Sequence, residues 1–222
     1  MMNNKNLIFD LDDTLYSEHD YVRSGFWSVA ETIKSTYPYI ESVQLFNDLV
    51  RVWKTYGRGR VFNVVCENYR LDIEINTLIE TYRNHKPTIQ LYADAKEILH
   101  LLKKRNYKAG IITDGNSNMQ WNKIRALGLD HLVDVITVSD DLGGENFWKP
   151  STTPYKRTIQ ALNTSADKCI YVGDNPRKDF ISARKLGMKT IRIIRPNGDH
   201  MKVKLAREYE ADKTIFSLKE LL

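Results

Sequence analysis

Residues 5–10, KNLIFD, form a short apolar run that ends in a carboxylate, the pattern of a buried parallel strand that empties into a site. From about Glu18 to about Lys104 the rhythm changes. Ile33, Leu45, Leu49, Val52 and Trp53 fall at helical spacing, and no stretch of this block reads as a strand. Breaks near Pro38, at Gly57–Gly59 and at Pro87 divide it into several helices. Beyond it, KAGIITDG, VDVITVSD, KCIYVGD and KTIRIIR are short β-rich segments separated by helical stretches. Strands that alternate with helices predict right-handed βαβ units and an α/β fold, a doubly wound, Rossmann-like parallel sheet of at least five strands. ADKTIF and SLKELL add an edge strand and a closing helix. The expected organisation is an α/β core of residues 1–16 and 90–222, interrupted by a helical domain of residues 17–89.

Composition narrows the class. With 42% hydrophobic and 27% charged residues among 222, the chain matches an ordinary globular protein and neither a disordered nor a fibrous one. MMNNKN lacks the apolar stretch of a signal peptide, and no run approaches the roughly 18 apolar residues of a membrane span, so a cytoplasmic protein without a membrane partner is expected. Cys66 and Cys169 fall in different parts of the expected fold, which argues for reduced thiols. The net charge of +5 suits an anionic ligand. Its basic residues are scattered through helical segments and not gathered in one tract, which favours solvated helix faces; a small anionic substrate would benefit from the same field, so charge alone does not separate these cases, and no nucleic-acid partner is expected. The oligomeric state is not legible.

The chemistry concentrates at strand ends, where open α/β sheets bind their ligands. FDLDDTLY sets Asp10, Asp12 and Asp13 beside Thr14. Side chains alternate along a strand, so Asp10 and Asp12 share a direction and Asp13 need not. Two neighbouring carboxylates repel, and a site that keeps both neutralises them with a cation or lets one hold a proton. The second strand ends in IITDGN, where Thr113, Asp114 and Gly115 precede a helix expected to start near Ser117. A hydroxyl, a glycine and free backbone N–H groups there suit a phosphate. Lys149 follows the third strand, ahead of a Ser-Thr-Thr-Pro helix start that carries Pro154 in its first turn. The fourth strand ends in Gly173 and Asp174, with Asp179 five residues on in GDNPRKD. Carboxylates of this kind are ligands that Mg²⁺ prefers.

In chain order, FDLDDTLY, Thr113, Lys149 and GDNPRKD resemble the four motifs of the haloacid dehalogenase (HAD) superfamily, and the helical block resembles the cap of its C1 branch. The resemblance spans most of the chain. It implies a Mg²⁺-dependent phosphatase for a small phosphate monoester, a sugar phosphate or a nucleoside monophosphate, and an aspartyl-phosphate intermediate. By position, Asp10 is then the nucleophile and Asp12 the acid and base. Thr113 and Lys149 hold the phosphoryl group. Asp10, the carbonyl of Asp12 and Asp174 hold the metal, and Asp179 supports its water shell. Many relatives have Asn where this chain has Asp114, and a carboxylate facing a phosphate is repulsive. The expectation is that the Asp114 side chain turns away and leaves its N–H, with that of Gly115, to the ligand.

Other readings remain. A 2-haloacid dehalogenase shares the fold and is disfavoured by Asp12. A phosphomutase shares the motifs, and a non-catalytic binder of a phosphorylated ligand shares the site. Arg58 and Arg60 in YGRGR are candidates for an anionic substrate group, with a solvated turn as the competing reading. Tyr21, Trp27, Trp53 and Tyr69 line a cavity on one reading and pack between helices on the other.

Overall fold

The computed structural model describes residues 6–222; Lys5, the first residue of the expected opening strand, lies outside them. The chain divides into two compact units, one formed by the chain up to Glu18 with Ile89–Leu222, the other by His19–Thr88.

The second unit is helical. It contains α1 (Glu18–Thr36) from His19 onward, α2 (Ser42–Tyr56), α3 (Val61–Tyr69) and α4 (Ile75–Asn84). Val22, Phe26, Val29, Ala30 and Ile33 repeat every three or four residues, so one stripe of α1 is apolar and buries against Leu45, Leu49, Val52 and Trp53 of α2, Val61 and Val65 of α3, and Leu78 of α4. Gly25 admits Tyr82, whose ring a Cβ would meet at 2.4 Å. Breaks fall where Pro38 and the glycines predict them. One more, at Arg70, has no Gly or Pro to announce it: this residue adopts the left-handed conformation and ends α3.

The first unit is built on β1 (Asn6–Phe9), β2 (Ala109–Thr113), β3 (Val135–Val138), β4 (Cys169–Gly173), β5 (Lys189–Ile193) and β6 (Lys213–Ile215). They form one parallel sheet in the order β3-β2-β1-β4-β5-β6. Every residue of β2 and β4 is buried, as expected for inner parallel strands covered on both faces. The helices are α5 (Ala93–Lys104), α6 (Ser117–Ala126), α7 (Thr153–Ala161), which carries Pro154 in its first turn, and α8 (Phe180–Lys185). Ile8, Ile112 and Tyr171 pack with Tyr155, Leu162, Phe180 and Ala183; Leu7 and Phe9 alternate to the other side of β1. The expected closing helix is a single 3₁₀ turn, Leu218–Leu221, which starts at a capping box between Ser217 and Glu220. Among the described residues no helix is long and apolar enough to cross a membrane.

This order decides where chemistry can gather. The chain steps outward from β1 through β2 to β3, then returns to β4 on the other side of β1, so the sheet switches direction beside β1. The carboxyl ends of β1, β2 and β4 are thereby neighbours, and they carry Asp10, Thr113 and Asp174.

A buried arginine fixes the loop after β1. Arg195 pairs with both oxygens of Asp94 at 3.0 and 2.8 Å and donates to the Thr14 carbonyl at 2.7 and 3.2 Å. Asp94 also accepts from Leu218 N–H at 2.8 Å and from Ser217 Oγ at 3.1 Å. Burial would raise the Asp94 carboxyl, and the Arg195 guanidinium with these donors holds it below its ordinary value. A depressed folded pKa contributes stability above the unfolded pKa that is lost as pH falls through the folded one. Asp94→Asn is therefore expected to destabilise the protein by about 1.5–3 kcal/mol at pH 7, with the difference between the two chains shrinking below about pH 4. Urea unfolding across this range checks it.

Candidate active site

Asp10 leaves β1 with its N–H bonded to the Val172 carbonyl at 2.8 Å, which sets its side chain at the sheet's carboxyl edge. There it meets Lys149, whose Nζ lies 2.5 Å from Asp10 Oδ1, 2.9 Å from Asp179 Oδ1 and 2.9 Å from Tyr171 Oη. Lys149 is 5% exposed. Burial would strip its proton, and the charges of Asp10 and Asp179 hold it well above the ordinary lysine range. Burial has the larger hand in Asp10, pushing its carboxyl up to about 7 with help from Asp179 and against the pull of Lys149.

Asp174 and Asp179 complete a buried acidic cluster with Asp10, one carboxylate oxygen of each lying within 4.8 Å of the others. Asp179 is held by Asn175 N–H at 2.9 Å. A Cβ at residue 173 would come within 2.5 Å of the Asp179 carboxylate, so Gly173 is required by close approach. Asp174 Oδ2 is buried and has no hydrogen-bond partner. Burial and the charges of Asp179 and Asp10 push this carboxyl far up. An orphaned oxygen among three buried carboxylates fits a hard divalent cation, which takes oxygen donors and offsets their repulsion.

The Asp12 carboxylate faces other partners. Oδ1 accepts from Lys123 Nζ at 2.8 Å and from Tyr16 Oη, and Oδ2 accepts from Gln120 Nε2 at 2.9 Å. Burial works to raise it, and Lys123 with these donors holds it below the usual carboxylate value. Gln120 Nε2 also reaches Thr113 Oγ1. Asp13 has φ of 51°, and its side chain accepts from the N–H groups of Glu18 and Asp199 at 3.0 Å each, a role in shaping the loop.

Asp114 is clamped by Lys149 N–H and Lys178 Nζ, both at 3.1 Å. Burial would raise its carboxyl; Lys149 and Lys178 bring it below the ordinary value. Its negative charge thus has two fixed partners of its own. Gly115, with φ of 127°, lies where any Cβ would come within 3.3 Å of Gln120. Arg58 and Arg60 belong to the helical unit, between α2 and α3, and both are exposed, Arg60 pairing with Glu67 at 3.1 Å. In the same unit Trp53 is buried, and Trp27, 44% exposed, packs on Phe46.

The sequence reading did not single out Gln120, Lys123, Tyr171 or Lys178. Gln120 and Lys123 lie three apart on α6, a spacing that puts them on one face, and Lys178 stands within GDNPRKD. The solvated helix faces expected for the scattered basic residues do not include Lys123 on α6. Lys123, Lys149, Arg192 and Arg195 are all 5% exposed or less, because each has a carboxylate partner that offsets its desolvation.

Known proteins are similar to this chain along nearly its whole length. A glyceraldehyde 3-phosphate phosphatase of Pyrococcus furiosus is 31% identical over 98% of this chain and 91% of its own. One of Methanocaldococcus jannaschii is 32% identical over 98% and 95%. The crystal structure of a HAD phosphatase from Thermococcus onnurineus superposes with a TM-score of 0.62 at 25% identity, covering 98% of this chain and 95% of that one. The profile of haloacid dehalogenase-like hydrolases matches residues 7–193, a span that holds Asp10, Thr113, Lys149, Asp174 and Asp179, and the chain belongs to that family of hydrolases.

Proposed function

We propose that this protein is a Mg²⁺-dependent phosphatase that hydrolyses a small phosphate monoester through an aspartyl-phosphate on Asp10. The observation that carries this reading is the strand end itself: a buried Asp10 paired with Lys149, beside an unpartnered oxygen of Asp174. The names of the two archaeal relatives make a three-carbon sugar phosphate the first ester to test.

Asp10, Asp174 and the Asp12 carbonyl would hold the metal, with Asp179 in the same acidic cluster to support it. When bound, Mg²⁺ neutralises the carboxylate cluster and the phosphoryl oxygens. Asp10 attacks phosphorus, while Thr113 Oγ1, the N–H groups of Asp114 and Gly115, and Lys149 fix the transferred group. Asp12 protonates the leaving oxygen and then takes a proton from the attacking water. In the free chain Lys123 holds Asp12 ionised, so the proton it donates arrives with the ester's monoanion, whose second ionisation lies near pH ~6. Residues 17–89 serve as the substrate-selecting cap, with Arg58 and Arg60 as its candidates for an anionic group.

Phosphate release from sugar phosphates and nucleoside monophosphates is expected with Mg²⁺ and is expected to vanish on chelation; turnover that survives chelation would sink the proposal. The metal also couples to pH. Asp10, Asp13 and Asp174 all have raised folded pKa values, about 7 and about 6 for the first two. Raised carboxyls contribute stability below their unfolded pKa that is lost as pH climbs through the folded one. Melting of the metal-free protein should therefore fall between pH 5 and pH 8, by about these values, and Mg²⁺ should raise it more at pH 8, where the ligands are ionised.

A further inference from the structure

Helix α6 presents two side chains inward that a helix ordinarily shows to water: Gln120 is 1% exposed and Lys123 3%. Burying an ammonium and an amide costs several kcal/mol in all unless partners are supplied, and here the partners lie at the Asp12 carboxylate. Lys123 takes Oδ1 at 2.8 Å and Gln120 takes Oδ2 at 2.9 Å, with Tyr16 Oη as a third donor on Oδ1. Lys123, Gln120 and Tyr16 all act as donors to this carboxylate, so the group is held as an acceptor with both oxygens fixed. The Gln120 amide also contacts Thr113 Oγ1, tying Asp12 to the end of β2. Asn116, which caps α6 by accepting from Met119 N–H at 3.3 Å, sets the helix start from which both side chains project.

We propose that Gln120 and Lys123 are positioning residues for the water-activating half of the reaction, a role that rests on the phosphatase reading above. In that half, water attacks the phosphorus of the aspartyl-phosphate and gives its proton to Asp12. The bond between phosphorus and the Asp10 oxygen breaks, Asp10 regains its carboxylate, and inorganic phosphate leaves. Asp12 must present one oxygen to that water while the other donors keep the group from turning. Formation of the aspartyl-phosphate from an ester with a good leaving group makes no such demand, since the leaving oxygen departs without a proton.

The two half-reactions separate with p-nitrophenyl phosphate and Mg²⁺. Lys123→Met and Gln120→Ala are expected to show a burst of p-nitrophenolate close to one per chain, followed by a steady rate roughly 10²-fold below the parent's, the cost of a misplaced catalytic group. The phosphorylated form then accumulates, so kcat and KM fall together and kcat/KM falls far less than kcat. Lys123→Arg, which keeps the charge, should recover most of kcat. A loss of kcat/KM as large as that of kcat, with no burst, would overturn the proposal, because a loosened site slows both halves. Two variants that both fail to fold would overturn it too, by showing the pair to be structural. Wild-type protein that forms no phosphate, or Asp10→Asn that retains the burst, would instead remove the phosphatase reading and take this inference with it.

Discussion

Asp10→Asn is expected to abolish phosphate release while making the metal-free protein harder to unfold at pH 8. The loss follows from the nucleophile itself. An amide oxygen neither attacks phosphorus effectively nor leaves from an acyl phosphate as a carboxylate does, and removal of a catalytic nucleophile costs at least about 10⁴-fold. The gain follows from burial. The Asp10 carboxyl stands at about 7 in the folded chain, raised by desolvation and by Asp179 against the pull of Lys149. A group whose folded pKa is raised disfavours folding increasingly from its unfolded pKa up to its folded one, so a neutral isostere relieves the fold fully above pH 7 and by a smaller part at pH 5. Phosphate assays with calorimetric melting at both pH values check the pair of effects. An Asn variant that keeps more than a few per cent of activity would rule out nucleophilic attack by Asp10.

Lys149→Met should carry the largest cost in stability. Its ammonium is the direct partner of Asp10 at 2.5 Å and of Asp179 at 2.9 Å, and it lies 4.0 Å from Asp114. Without it the acidic cluster keeps Lys178, which is already committed to Asp114 at 3.1 Å. Removing one partner of a buried ion pair costs about 3–5 kcal/mol, which in a chain of this length lowers Tm by roughly 6–20 °C. The sign of its pH dependence is set by what remains. The orphaned carboxylates relieve their repulsion by protonating, so the deficit should narrow as pH falls below 7 and should narrow again on addition of Mg²⁺, which binds the folded cluster. A deficit that is equal at pH 5 and pH 8 would mean that Lys149 acts through packing of its stem. Activity should fall at the same time by about 10²–10³-fold, the usual loss when one fixed charge on a transition-state oxygen is removed.

Both expectations rest on positions that were legible before any coordinates. KNLIFD, KAGIITDG and KCIYVGD are apolar enough to be inner strands, and the residues that follow each are polar for no structural reason of their own. The helical block was legible because its apolar stripe repeats at the helical period, although the break at Arg70 was not, since a left-handed residue there carries neither Gly nor Pro as a marker. The polar partners behind the strand ends were the least legible. Gln120, Lys123, Arg192 and Arg195 carry no marker that sets them apart from the other polar residues of their segments. Arg192 binds the Asp174 carbonyl at 3.2 Å and Glu210 at 3.1 Å.

What the sequence determined by itself is the element order and the identity of the acidic, hydroxyl and lysine residues at the strand ends, because hydrophobic period and strand polarity are local properties of the chain. The tertiary structure alone decided which of them meet. Strand order sets β1 between β2 and β4 and so gathers Asp10, Asp174 and Asp179 at one edge, whereas α6 draws Asp12 toward Lys123 and Gln120. Pairing of buried charges depends on distances between separate segments, 111 residues apart for Asp12 and Lys123 and 139 for Asp10 and Lys149, and no local pattern encodes those distances.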